Sequence, residues 1–127
     1  MSKQFQASQP IYLQIVDRIC RQIVRNELLP SEKLPSVREM ALQCGVNPNT
    51  IQRTYSELER MGIVETKRGQ GTFVCENGNA VQELKLKLQS EIITNFVKDM
   101  KEMGLSEAEM LLGVKRHLKK IAEESHD

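Results

Sequence analysis

The sequence has no tryptophan, two tyrosines and three phenylalanines, so aromatic residues make up only 4% of it. Any core must rest on aliphatic side chains and methionine. Sulfur and imidazole groups are scarce as well. The three cysteines, Cys20, Cys44 and Cys75, stand far apart and form no CxxC pair, which excludes a disulfide framework. Both histidines, His117 and His126, lie near the C-terminus, so a histidine-based catalytic or zinc centre in the body of the chain is excluded. No run of about 18 apolar residues occurs, and no membrane span is expected. The opening MSKQFQASQPIYLQ lacks the apolar segment of a signal peptide, and the expected compartment is the reducing cytoplasm. Excess charge of one sign is also missing: 18 Lys and Arg stand against 17 Asp and Glu, a formal net charge of +1. The chain as a whole is no polyanion binder, and any such site must come from local placement of charge.

What is present is an ordinary globular composition, 39% hydrophobic and 28% charged over 127 residues. That length suits one domain, or one small domain with an extension, and is too short for a further full-sized enzymatic or ligand-binding domain. The character changes at Glu76, Asn77, Gly78 and Asn79. Before them, prolines and glycines separate short periodic segments; after them comes a proline-free stretch dense in Leu, Ile, Met, Lys and Glu. The expected division is 1–77 and 78–127.

A first helix is expected over residues 10–26, with Pro10 at its first position. Ile11, Ile15, Ile19 and Ile23, flanked by Tyr12, Val16 and Cys20, give a broad apolar face. Ser36 and Glu39 have capping-box spacing and open a second, short helix, with Val37, Met40, Ala41 and Cys44 inward and Gly45 as its stop. Val46 is expected to be buried in the turn. Asn47 then caps a third helix with Pro48 at its first position, running to about Met61 with Ile51, Tyr55 and Leu58 on the inner face. Two β-rich stretches, 63–67 and 72–75, surround a glycine-containing turn and read as a hairpin with Lys67 and Arg68 at its tip.

Two short helices joined by a tight turn and followed by a basic hairpin make a winged helix-turn-helix, in which the second helix of the pair enters the major groove of DNA. With Ile51, Tyr55 and Leu58 inward, the outer and N-terminal positions of that helix are Asn49, Thr50, Gln52, Arg53 and Ser56. Asn and Gln can pair bidentately with adenine, and Arg with guanine. Asn47 sits at the N-terminal end, where free N–H groups favour phosphate. Arg38 could clamp a phosphate with its planar fork. Lys67 and Arg68 could reach the minor groove or the backbone, although Glu65 beside them opposes a strongly basic wing. Gly69 and Gly71 let the wing turn sharply. Tyr55 can serve as core, as phosphate ligand, or as both. On a bland reading, Asn49, Gln52 and Arg53 are a solvated face, Arg38 pairs with Glu39 or Glu32, and the wing cations serve solubility.

The stretch LPSVREMALQCGVNPNTIQRTYSELERMGIVETKRGQGTFV resembles the DNA-binding domain of the GntR family of bacterial transcription regulators. The matching positions are Leu34-Pro35-Ser36, Arg38, Gly45-Val46, Thr50-Ile51, Gly62-Ile63 and Gly69-Gln70-Gly71-Thr72-Phe73-Val74, with Pro10 to Gln14 upstream. The resemblance covers roughly residues 8 to 76. Asn47-Pro48 replaces the Ser/Thr-Arg found in many members, and Gln52 stands where many carry Arg, so the operator is not implied. The Asn-Pro-Asn-Thr form, with Tyr55, is similar to the short YtrA-like branch. That branch implies a double-stranded DNA partner, a small two-helix C-terminal part and a homodimer.

From Ala80 to Met103 a long helix is expected, with one stripe at Val81, Leu84, Leu88 and Ile92, a second at Leu86, Ile93, Val97 and Met100, and Phe96 between them. Gly104 breaks it, and Ser106 with Glu109 opens another helix whose apolar face is Met110, Leu111, Val114, Leu118 and Ile121. One face of the long helix is expected to pack on this second helix. The other must be covered by the N-terminal domain or a second copy, because fifty residues in two helices make a poor core alone. The candidate dimerisation residues are Leu84, Leu88, Ile92, Ile93, Phe96, Val97, Met100, Leu111, Val114 and Leu118. The expected class is α+β and mostly helical: an N-terminal winged helix-turn-helix followed by a C-terminal two-helix dimerisation hairpin.

Function is expected to be sequence-specific, dimeric DNA binding, with repression of transcription, and an unidentified small-molecule effector is left open. A protein-interaction module on the same fold is the competing reading. An enzyme is remote, since no paired carboxylates, activated nucleophile or phosphate loop is present, and neither a metal nor another cofactor is expected. Cys20 and Cys44 lie on apolar faces and read as structural thiols, with Cys75 more exposed. His117 with Glu124 or Asp127 is weak as a metal site.

Overall fold

A computed structural model describes residues 9–125; the expectations for His126 and Asp127 lie outside them. Five helices and one hairpin follow in the order α1 (Ile11–Val24), α2 (Val37–Cys44), α3 (Pro48–Arg60), β1 (Val64–Lys67), β2 (Gly71–Val74), α4 (Gly78–Glu102) and α5 (Glu107–Glu124). Two compact units divide between Lys85 and Leu86, inside α4.

The first unit is built around α1. Ile15, Ile19 and Ile23 are each at most 2% exposed, and α1 packs on α3; Ile51 and Leu58 of α3, Leu34, and Val64 and Val74 of the hairpin are buried as well. Ile11, in the first turn, stays 43% exposed, so the four-residue isoleucine repeat is buried only from its second member onward. Pro10 lies one position earlier than expected, as the N-cap, with its carbonyl accepting from the Leu13 and Gln14 amides.

The caps of α2 and α3 form by local chemistry. Ser36 accepts the Glu39 amide while the Glu39 carboxylate accepts the Ser36 amide, a closed capping box. Gly45, at φ 68°, takes the left-handed conformation that ends α2. Asn47 accepts the Asn49 amide at 2.8 Å and Pro48 begins α3. Val46, in the turn, is half-buried rather than buried.

The hairpin is antiparallel, with Val64 opposite Val74 and Lys67 opposite Gly71. It does not stand alone. The loop before α2 runs along the free edge of β2: Ser31 N–H donates to the Val74 carbonyl, Val74 N–H to Glu32, and Leu34 N–H to Thr72. The Thr66 amide donates to the Glu59 carboxylate at 3.0 Å, which fastens β1 to α3.

In the second unit, α5 opens with its own capping box at Ser106 and Glu109. Among the described residues its apolar face is largely uncovered, where the expectation had one face of α4 packing on it. Met110 is the buried residue of α5; Leu111 is 74% exposed, Leu118 62%, Ile121 48% and Val114 43%. On α4, Ile92 and Ile93 are also exposed, Leu88, Phe96, Val97 and Met100 are half-buried, and Leu84 is buried. Two helices of this size lack the surface to bury each other's apolar faces and remain open on one side.

Candidate nucleic-acid interface

The inner face of α3 is Ile51, Thr54, Tyr55 and Leu58, all at most 5% exposed. Their spacing of three, four and seven residues fixes which side chains point outward. Asn49, Gln52, Arg53 and Ser56 are exposed and Thr50 is half-buried. Thr54 is a polar residue in this core. Its hydroxyl donates to the Thr50 carbonyl at 2.9 Å and lies 3.4 Å from the Tyr12 carbonyl. This satisfaction by the preceding turn is what lets it be buried. The helical spacing from Ile51 was the signal that could have placed it inward.

The expected DNA-contacting residues divide into two groups. Arg38, Asn49, Gln52, Arg53, Lys67, Arg68 and Gly69 are exposed, on α2, on α3 and on the wing. Asn47 is exposed too, but its carbonyl oxygen is engaged in capping. Arg53 lies over the ring of Tyr12, 4.1 Å from its centroid, an exposed cation–π contact with α1. Tyr55 belongs with the core: the residue is 5% exposed and its hydroxyl donates to the Pro35 carbonyl at 2.7 Å. Burial pushes its phenol well above the ordinary tyrosine range, with Cys44 and Glu39 adding to the shift, so the donating proton stays in place.

At the wing, Lys67 lies 4.9 Å from the Phe73 ring centroid and 4.0 Å from the Glu65 carboxylate. Gly69, at φ 78°, makes the turn after Arg68. Gly71, at φ 126°, has a second reason to lack a side chain: a Cβ there would lie 2.8 Å from Cε of Lys33. Lys33, which the sequence did not single out, is thereby placed beside the wing.

The three thiols are free, one buried and two half-buried. Cys20 is 2% exposed, and burial pushes the Cys44 and Cys75 thiols up, away from the reactive thiolate. Among the described residues, no group of three or more His, Cys, Asp and Glu could hold a metal ion.

The site is thus a capped helix pair with a polar outer face beside a hairpin braced on both sides. Residues 11–74 match the family model for bacterial regulatory proteins, gntR family. The chain belongs to that family. Among its GntR relatives, the HTH-type transcriptional regulator YhcF of Bacillus subtilis is 65% identical over 115 residues, 91% of this chain and 95% of that protein. The HTH-type transcriptional repressor YtrA of the same organism is 39% identical over 100 residues, covering 78% and 77%. A GntR family transcriptional regulator from Listeria monocytogenes superposes with a TM-score of 0.84 at 38% identity, over 88% of this chain and 98% of that one. The AraR DNA-binding domain, solved in complex with operator ORX1, superposes with a TM-score of 0.55 at 30% identity, over 59% of this chain and 95% of that one. The chain is thus a GntR-family regulator of the YtrA-like kind, which binds double-stranded DNA through its winged helix-turn-helix, and is not an enzyme. No helix among the described residues is long and apolar enough to cross a membrane.

Proposed function

We propose that the chain is a cytoplasmic repressor that binds a palindromic operator as a homodimer, with α3 as the recognition helix. The observation that carries this reading is the exposure of Asn49, Gln52 and Arg53 together on the outer face of α3, while every large apolar residue of that helix is buried. These side chains read base edges; Arg38, Lys67 and Arg68 hold the backbone; Asn47, Thr50 and Gly69 shape the approach. Tyr55 acts through Pro35, by positioning α2. Repression accords with the name of the YtrA relative.

The homodimer rests on the open apolar faces of the second unit. Leu111, Val114 and Leu118 of α5 and Ile92 and Ile93 of α4 are large aliphatic residues 43% to 74% exposed in one chain. A two-fold partner would cover them, and Leu84, Leu88, Phe96, Val97 and Met100 line the same helix. A small-molecule effector would act through this helical region. The division at 77/78 falls at the start of α4, and this reading assigns DNA contact to the part before it and assembly to the part after.

Selection from a random DNA pool tests the proposal. The expected product is a two-fold symmetric motif with half-sites one helical turn apart or a multiple of it. A folded protein that enriches no sequence overturns it.

A further inference from the structure

A groove of about 540 Å³ separates the wing from the segment that leads into α2. Leu34, Pro35, Val37 and Tyr55 contribute apolar surface to it. Its charged side chains are Lys33, Lys67 and Arg68, and no acidic side chain lines it. All three cations are exposed. Three carboxylates stand beside its lining residues: Glu39 accepts the Ser36 amide and feels the charge of Lys33, Glu59 accepts the Thr66 amide, and Glu65 lies 4.0 Å from Lys67.

Lys33 is held there by main-chain pairing. It forms an antiparallel bridge with Phe73, and its neighbour Leu34 donates to the Thr72 carbonyl. The side chain then crosses the face of Gly71, with Cε 2.8 Å and Nζ 3.6 Å from the point a Cβ would occupy. The ammonium is thus carried to the wing strand, next to the turn that bears Lys67 and Arg68. A side chain at position 71 would displace the end of the lysine stem, and φ 126° strains any residue but glycine there.

We infer that this groove seats a stretch of DNA backbone and that Lys33 is one of its phosphate ligands, acting with Lys67 and Arg68. The inference rests on the reading of the chain as a DNA-binding regulator and adds a contact to it. A concave wall with three cations and no lining anion suits a polyanionic strand, and a lysine serves phosphate as a point charge. Such a contact positions the duplex without reading its sequence.

The test uses Lys33→Met, which keeps an aliphatic stem across Gly71 and removes the charge. Affinity is measured against salt concentration for the selected operator and for a scrambled duplex of the same length. The expected result is an equal fractional loss on both duplexes, with the slope of log K against log salt shallower by about 0.9 for each protomer bound. The melting temperature stays unchanged, and Lys33→Arg restores the slope. An unchanged slope overturns the assignment, as does a fall in affinity that merely tracks a fall in melting temperature, or a slope that Lys33→Arg leaves unrestored. If Gln52→Ala abolishes operator preference while Lys33→Met does nothing, the DNA reading stands and this contact falls. A wild-type protein without salt-dependent DNA binding overturns both.

Discussion

The hydroxyl of Tyr55 donates to the carbonyl oxygen of Pro35 at 2.7 Å, tying α3 to the loop that starts α2. This bond fixes the angle of the helix pair from the inside. Tyr55→Phe keeps the ring and removes the tie, leaving the Pro35 carbonyl short of a partner. The expected loss is about 1 kcal/mol in chemical denaturation. Operator preference should survive, because the hydroxyl is committed to the Pro35 carbonyl and a groove that seats backbone reads no sequence. A variant as stable as the wild type would show that the bond contributes nothing.

Gln52 is exposed on the outer face of α3, and among the described residues no hydrogen bond or ion pair holds its side chain. Gln52→Ala should therefore leave the melting temperature unchanged. It should cost about 1–3 kcal/mol of discrimination at one base pair of each half-site. Fluorescence anisotropy with operators altered one pair at a time checks this. Uniform weakening across all operators would instead place Gln52 on the backbone.

Acid should loosen α2. The hydrogen bond from the Ser36 amide, then one with the Ser36 hydroxyl, and the charge of Lys33 hold the Glu39 carboxyl below its ordinary range. A carboxylate with a lowered folded pKa stabilises the fold above its unfolded pKa, and that contribution fades as pH falls through the folded value. Glu39→Gln should flatten the acid limb of a stability-against-pH profile without changing its neutral plateau greatly. Ser36→Ala should lower the plateau itself, by about 1 kcal/mol.

Leu111 and Leu118 lie seven residues apart on α5, so they share one face, and they are 74% and 62% exposed. Replacing both by Glu should leave α5 helical and put charge into the proposed dimer contact. Sedimentation analysis is expected to show a dimer for the wild type and a monomer for the variant. Operator affinity should fall with it, since one half-site binds weakly. A variant that remains dimeric would move the interface elsewhere.

The parts of this fold that were legible in the sequence are those set by neighbours along the chain. Ser36 with Glu39, Asn47 with Pro48 and Ser106 with Glu109 each announce a helix start, because the capping groups lie within three residues of one another. The inward set Ile51, Tyr55 and Leu58 follows from helical period alone. What could not be read depends on residues far apart in sequence. Nothing in the loop at 31–34 indicates that it will pair with β2, and so nothing marked Lys33. The stacking of Arg53 on Tyr12 and the bond from Tyr55 to Pro35 likewise join separate segments. The α4 and α5 pattern was clear, but periodicity states that a face is apolar without stating what covers it.

The bracing of the wing has a consequence for how binding proceeds. A lone two-stranded hairpin is marginal in water and would have to be frozen upon encounter with a duplex. Here the edge of β2 is already occupied by residues 31–34 and β1 is already fastened to α3 through Glu59. The loss of conformational freedom that an arm normally incurs on docking has therefore occurred during folding. The regulator meets its operator as a preorganised clamp, and its association rate should respond to ionic strength rather than wait on a slow rearrangement of the arm.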